Sequence, residues 1–199
     1  VAERSQSGPK RQKILEAAVI EMAQQGYYQT TVSMIARRAG VADGTIYLYF
    51  SNKKDILVSI FDHAMGRFIN EGREQLRKNK GATAKLRRIV ELHLGLLGED
   101  RDLAVIFQVE LRHSLHFMDM FSRSRIREYL EIITEVIREG QREGVFRPEL
   151  DAALTAKAVF GILDEMATDW VLSRRNVRLG VKTGRIADFI LGGLALREP

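Results

Sequence analysis

Gly44, Thr45, Tyr47, Tyr49 and Lys53 fall close together in this 199-residue chain and carry its most distinctive chemistry. Hydroxyls and an ammonium can donate to phosphate oxygens, a phenol ring can pack on a thymine methyl, and a glycine admits a base or sugar near the backbone. That is the chemistry of recognition, not of bond breaking. Elsewhere the chain lacks a catalytic set. Cysteine is absent, which removes disulfides, thiol catalysis and Cys-based zinc sites. The histidines, His63, His93, His113 and His116, are scattered, and the pair three residues apart lacks a carboxylate or third ligand at obvious spacing. With no G-x-S-x-G motif and no phosphate loop, we expect no catalytic residue, no metal, no cofactor and no enzyme.

Side chains with this role must stand on an element that reaches a groove, and the sequence supplies one. Thr31 to Tyr49 reads as helix, turn, helix. Two short helices crossing steeply need a small residue where they approach and a glycine in the turn; Ala36 and Gly40 fit. Ala36, Gly40 and Ile46 have the spacing of a DNA-binding helix-turn-helix, with Ile35, Ala39 and Val41 completing the seam. Thr31 is a natural N-cap. Ile46 and Phe50 are expected in the core; Asp43 either caps the helix or, beside phosphate, reads a cytosine or orients a neighbour. Lys53 opens the next helix, where its charge adds to the positive helix end.

The remainder reads as helix too. Only three prolines occur, and no alternating β-branched stretch suggests a sheet. We expect an all-α protein of about nine helices: a helix-turn-helix domain over residues 1–54 and a larger helical domain over 55–199. The predicted helices are 9–25, 32–39, 42–50, 53–80, 83–97, 102–116, 119–143, 150–174 and 182–196. The net charge is +5, of which residues 1–54 carry +4, the footprint of a polyanion-binding module. No run is apolar enough for a membrane span and the N-terminal stretch is polar and basic, so a cytoplasmic location is expected.

In the larger region, 103–127 mixes apolar residues (Leu103, Ile106, Phe107, Leu111, Met118, Met120) with Arg112, Arg123, Arg125 and Arg127. A greasy channel beside guanidinium groups suits a ligand oily at one end and polyanionic at the other, such as fatty acyl-coenzyme A. The same pattern also fits ordinary core with solvated arginines. The last two predicted helices are apolar nearly all round, which implies a deep core or a two-fold interface. We favour a homodimer built from both, presenting its recognition helices ~34–36 Å apart to a palindromic operator.

The run GYYQTTVSMIARRAGVADGTIYLYFSNKKDIL closely resembles the DNA-binding region of the TetR family of bacterial transcriptional regulators. The resemblance implies an all-helical fold, a C-terminal ligand and dimer domain, and DNA contact by Thr30, Thr31, Thr45, Tyr47, Tyr49 and Lys53. Asp43 departs from the serine common there. FQVELRHS and FGILDEMATDWV, at 107–114 and 160–171, are similar to segments of the acyl-CoA-responsive, FadR-type repressors of fatty-acid degradation. This second likeness implies release from operator DNA by long-chain acyl-CoA, with Phe107, Arg112, Gly161 and Trp170 as candidate ligand contacts. A cationic or aromatic drug, as for a regulator of an efflux pump, is the alternative effector if Glu110, Asp164 and Glu165 line the pocket.

Overall fold

Pro9 sits at the first position of a helix, where its fixed φ helps and its missing N–H costs nothing. In the computed structural model, which describes residues 8–113, 125–173 and 178–196, that helix is α1 (Pro9–Gln25). It buries Ile14, Leu15, Ala17, Ala18 and Met22 along one stripe. The chain leaves α1 at Gly26 and enters α2 (Val32–Ala39) through Thr31, whose hydroxyl accepts from Met34 N–H at 3.2 Å. Gly40, at φ +67°, makes the left-handed turn that any side chain would strain. Beyond it lies α3 (Asp43–Tyr49), seven residues long.

Asn52 and Asp55 start α4 (Lys53–Lys78) reciprocally. Asn52 Oδ1 accepts from Asp55 N–H at 2.9 Å, and the Asp55 carboxylate accepts from Ser51 N–H at 2.8 Å. At 26 residues α4 is the longest helix among those described, roughly 39 Å at 1.5 Å per residue. Its early residues Ile56, Leu57 and Ile60 and its later ones Ile69 and Leu76 are all buried in one apolar cluster that extends from Ile14 to Leu194.

The second half of the chain contains α5 (Ala82–Glu99), α6 (Arg101–Gln108), α7 (Arg125–Arg142), α8 (Ala152–Leu172) and α9 (Thr183–Leu194), with 3₁₀ turns at Glu110–His113 and Leu179–Lys182. Two predicted boundaries differ. Gly98 does not stop α5: it is small because a Cβ there would lie 3.2 Å from that of Leu179. The break falls at Asp100, whose carboxylate caps α6 by accepting from Leu103 N–H at 2.9 Å. The helix predicted over 102–116 ends at Gln108 and gives way to the 3₁₀ turn. Residues 114–124, with Met118, Met120 and Arg123, lie outside the described part.

Gly140 on α7 is required for another reason: an added Cβ would lie 2.0 Å from the ring of buried Phe146. Toward the interior α8 presents Ala156, Val159, Leu163, Ala167 and Val171. On its outer face stand Leu154, Gly161 and Leu172, all exposed, and α9 likewise exposes Phe189 (73%), Gly192 and Gly193. Among the described residues no helix is long and apolar enough to cross a membrane.

Candidate functional site

Helix α3 rests on its neighbours through Ile46, 1% exposed. Most of its remaining surface is open. Asp43 and Gly44 are exposed, nothing lies within 4 Å of where a Gly44 side chain would begin, and Tyr47 (53%) and Leu48 (69%) project outward. Thr45 is half-buried, and so is Tyr49, whose ring tilts against Phe50 at 6.5 Å. Leu48 was not among the sequence-derived candidates, because an apolar residue in a helix is ordinarily assigned inward; its exposure suits a thymine methyl. Asp43 accepts a hydrogen bond from the Ser33 hydroxyl and so ties the start of α3 to α2.

Two expected contacts are corrected. Thr30 is 0% exposed, and its hydroxyl donates to Gly26 O at 2.8 Å and to Glu21 O at 3.2 Å. It closes the end of α1 and cannot reach a groove. Lys53 donates to Tyr27 O (2.7 Å), Tyr28 O (3.3 Å) and Thr30 O (2.7 Å) and lies 4.5 Å from the centre of the Tyr27 ring. An ammonium has three protons, and these carbonyls take them. Lys53 therefore clamps the α1–α2 loop, and burial holds its pKa below the ordinary lysine range. The same loop is also held by Glu110, whose carboxylate accepts from Tyr27 N–H at 2.7 Å.

Behind this surface is a cavity of about 840 Å³, within the ~300–1,000 Å³ usual for small-ligand sites. Its apolar walls come from α1 (Leu15, Val19), α4 (Phe61, Met65, Phe68), α5 (Leu96, Leu97), α6 (Leu103, Phe107), α7 (Ile126, Tyr129) and α8 (Phe160). Its polar lining includes Gln12, Glu16, His63, Arg67 and Glu71. The pKa of His63 is lowered by burial and then by the Arg67 and Arg11 charges, against an opposing effect of Glu16. Arg125 lies beside α4, where a side chain at Gly66 would begin 3.8 Å from its guanidinium, and it donates to the Glu128 carboxylate at 3.0 Å. Glu99, Asp100 and Asp102 also line the cavity, at the α5–α6 junction.

Of the proposed ligand contacts, Phe107 lines the cavity and packs on Phe61 at 5.4 Å. Leu103, four residues earlier, shares its face of α6, Leu111 on the following 3₁₀ turn also lines the cavity, and Ile106 is core. Gly161 lies on the exposed outer face of α8, turned away from its cavity-lining neighbour Phe160. Trp170 lies off the cavity and receives the Arg101 guanidinium over its ring at 5.1 Å, while Arg101 also donates to Val171 O at 2.8 Å and so caps α8. The Arg112 side chain lies outside the described part. Of the three acids weighed for a cationic ligand, Asp164 lines the cavity, Glu110 faces the α1–α2 loop and Glu165 is exposed.

Sequence reasoning missed a buried polar pair in the wall. His93 Nδ1 and the Tyr129 hydroxyl are 3.0 Å apart, ringed by Phe68 and Phe160, while His93 Nε2 is buried with no hydrogen-bond partner among the described residues. Burial lowers the His93 pKa to about 4 and raises that of Tyr129. The only signal was one histidine inside the apolar run of α5.

Comparison with known proteins matches both parts of this arrangement. Residues 14–60 fit the description "Bacterial regulatory proteins, tetR family", and residues 61–193 fit "YsiA-like protein, C-terminal region". The chain belongs to the TetR family of bacterial regulatory proteins. Among TetR-family members, it is 38% identical over 189 residues to the fatty acid metabolism regulator protein of Bacillus subtilis (strain 168), covering 95% of this chain and 97% of that one. The fatty acid degradation regulator FadR of Bacillus halodurans shares the fold with a TM-score of 0.90 and 40% identity, over 96% of this chain and 99% of that one. FadR of Bacillus subtilis, solved in complex with stearoyl-CoA, gives a TM-score of 0.87 at 37% identity, covering 92% and 98%. The two TetR-family matches meet between residues 60 and 61, inside α4.

Proposed function

We propose that this TetR-family protein is a cytoplasmic, dimeric repressor of fatty-acid degradation genes that long-chain acyl-CoA releases from a palindromic operator. One observation carries the reading: α1, a helix of the DNA-reading half, forms a wall of the apolar cavity through Leu15 and Val19. A chain occupying that space presses on the element that supports α2 and α3. The ligand then favours whichever form accommodates it, and operator affinity falls by its differential affinity for the two forms. The apolar walls suit an acyl chain, and Arg67 among the lining residues suits a phosphate group. The likeness to a FadR solved with stearoyl-CoA supports the same effector.

Operator contact in this reading falls to Gly44, Thr45, Tyr47, Leu48 and Tyr49 on α3 and to Thr31 at the start of α2. Leu154, Gly161 and Phe189, left exposed on α8 and α9, supply the two-fold interface, since an apolar patch of this kind marks a partner surface. The carboxylates of Glu99, Asp100 and Asp102 favour a cationic effector as the second reading. Fluorescence anisotropy on a labelled operator decides between them: palmitoyl-CoA is expected to release the protein at micromolar concentration. No release, or release by an organic cation alone, overturns the acyl-CoA assignment. Equal affinity for scrambled DNA at fixed salt overturns operator recognition.

A further inference from the structure

Residues 26–30 join α1 to α2, and their position sets where the helix-turn-helix stands. Thr30 bonds back to Gly26 O, Thr31 caps α2, and Ser33 bonds to Asp43 at the start of α3. A displacement of this loop is therefore handed to α2 and α3 together. Lys53 of α4 holds the loop by its carbonyls, as described above. Glu110 holds it by an N–H, and Glu110 belongs to the other half of the chain. Its carboxylate is 83 residues from Tyr27 in sequence, 7% exposed, and accepts from Tyr27 N–H at 2.7 Å. Gly26, at φ +81°, turns its bare side to the same carboxylate, where a Cβ would lie 3.8 Å from Oε1.

Glu110 sits two residues beyond the end of α6, and the chain on both sides of it lines the cavity: Phe107 and Gln108 before, Leu111 after. A ligand that presses on these side chains bears on the backbone that carries the carboxylate. A charge-assisted hydrogen bond is short and directional, so a shift of about 1 Å is enough to take 2.7 Å out of range.

We propose that Glu110 is a positioning residue for regulation, gripping the Tyr27 amide in the operator-binding form and letting go when the cavity is filled. The inference rests on the acyl-CoA reading for the identity of the occupant. It makes a prediction of opposite sign for the two ligands. Removing the grip destabilises the operator-binding form only, so operator affinity falls while acyl-CoA affinity rises. A merely structural role would weaken both.

The test uses the full chain, with palmitoyl-CoA as the probe in calorimetry and in operator-release titration. Glu110→Ala is expected to bind palmitoyl-CoA about tenfold more tightly than the wild type and to leave the operator at a correspondingly lower concentration. Glu110→Gln, which keeps an acceptor oxygen without the charge, is expected between the two. Unchanged or weakened palmitoyl-CoA binding by a folded Glu110→Ala overturns the proposal. Should that variant fail to fold, amide exchange in the wild type gives the answer. Faster exchange of the Tyr27 N–H on adding palmitoyl-CoA supports the release of the grip, and unchanged protection overturns it. If the wild type binds no palmitoyl-CoA, the acyl-CoA reading has failed and this inference falls with it. If it binds while Tyr27 stays protected, only the role of Glu110 has failed.

Discussion

Replacing Lys53 by methionine separates two roles that the sequence alone merges. Methionine keeps an unbranched apolar stem against Tyr27 and removes the ammonium. The structure assigns that ammonium three carbonyl acceptors and one aromatic face. Hydrogen bonds from a charged group are worth ~1.5–3 kcal/mol when fully formed, but the Lys53 side chain is only half-buried, its Tyr28 bond is long, and burial disfavours its charge. We therefore expect a net loss of about 1.5 kcal/mol, discounted for exposure. For a chain of this length that corresponds to roughly 3–6 °C in melting temperature. The operator assay reads the other half of the prediction. A lysine on a phosphate contributes about 0.9 to the slope of log K against log salt, about 1.8 for a symmetric dimer. Lys53→Met should leave that slope unchanged while lowering the melting temperature. A slope reduced by about 1.8 with an unaltered melting temperature would show that Lys53 lies on DNA and that the clamp is misassigned.

Other perturbations follow the same logic. His93 has a folded pKa of about 4, below its unfolded value of ~6.5, so the unfolded state takes up a proton first as pH falls. Its contribution is fully present above pH ~6.5 and is lost progressively toward pH 4, amounting to ~3 kcal/mol; urea unfolding at pH 7 and 4.5 should show a smaller acid loss in His93→Phe, and an equal loss would contradict the assignment. Gly140→Ala drives a methyl into the Phe146 ring and should cost ~1–3 kcal/mol by thermal unfolding; an unchanged melting temperature would mean the α7–Phe146 contact is loose. Phe189→Glu should give a monomer in sedimentation and lose operator affinity, whereas a persisting dimer would place the interface elsewhere.

What was legible in the sequence was what short-range signals encode. Thr31 and Gly40 mark the ends of α2 because a cap and a left-handed turn are decided within a few residues. Leu103 and Phe107, four residues apart, share the cavity-facing side of α6, although the sequence alone places core Ile106 with them. The roles of Lys53 and Glu110 were not legible, because their partners lie 23–26 and 83 residues away, and a charge next to a helix start looks the same whether it meets a phosphate or a carbonyl. Gly161 was misplaced because a glycine in an apolar helix reads alike on either face. The cavity could not be drawn from any one segment, since six helices contribute walls.

The unbroken apolar cluster from Ile14 to Leu194 has a practical consequence. Because one apolar cluster joins the reading head to the body, both should melt as one unit. Whatever settles in the body then protects the head against heat in proportion to its occupancy. A simple heating curve, with no nucleic acid in the tube, can thus rank candidate inducers.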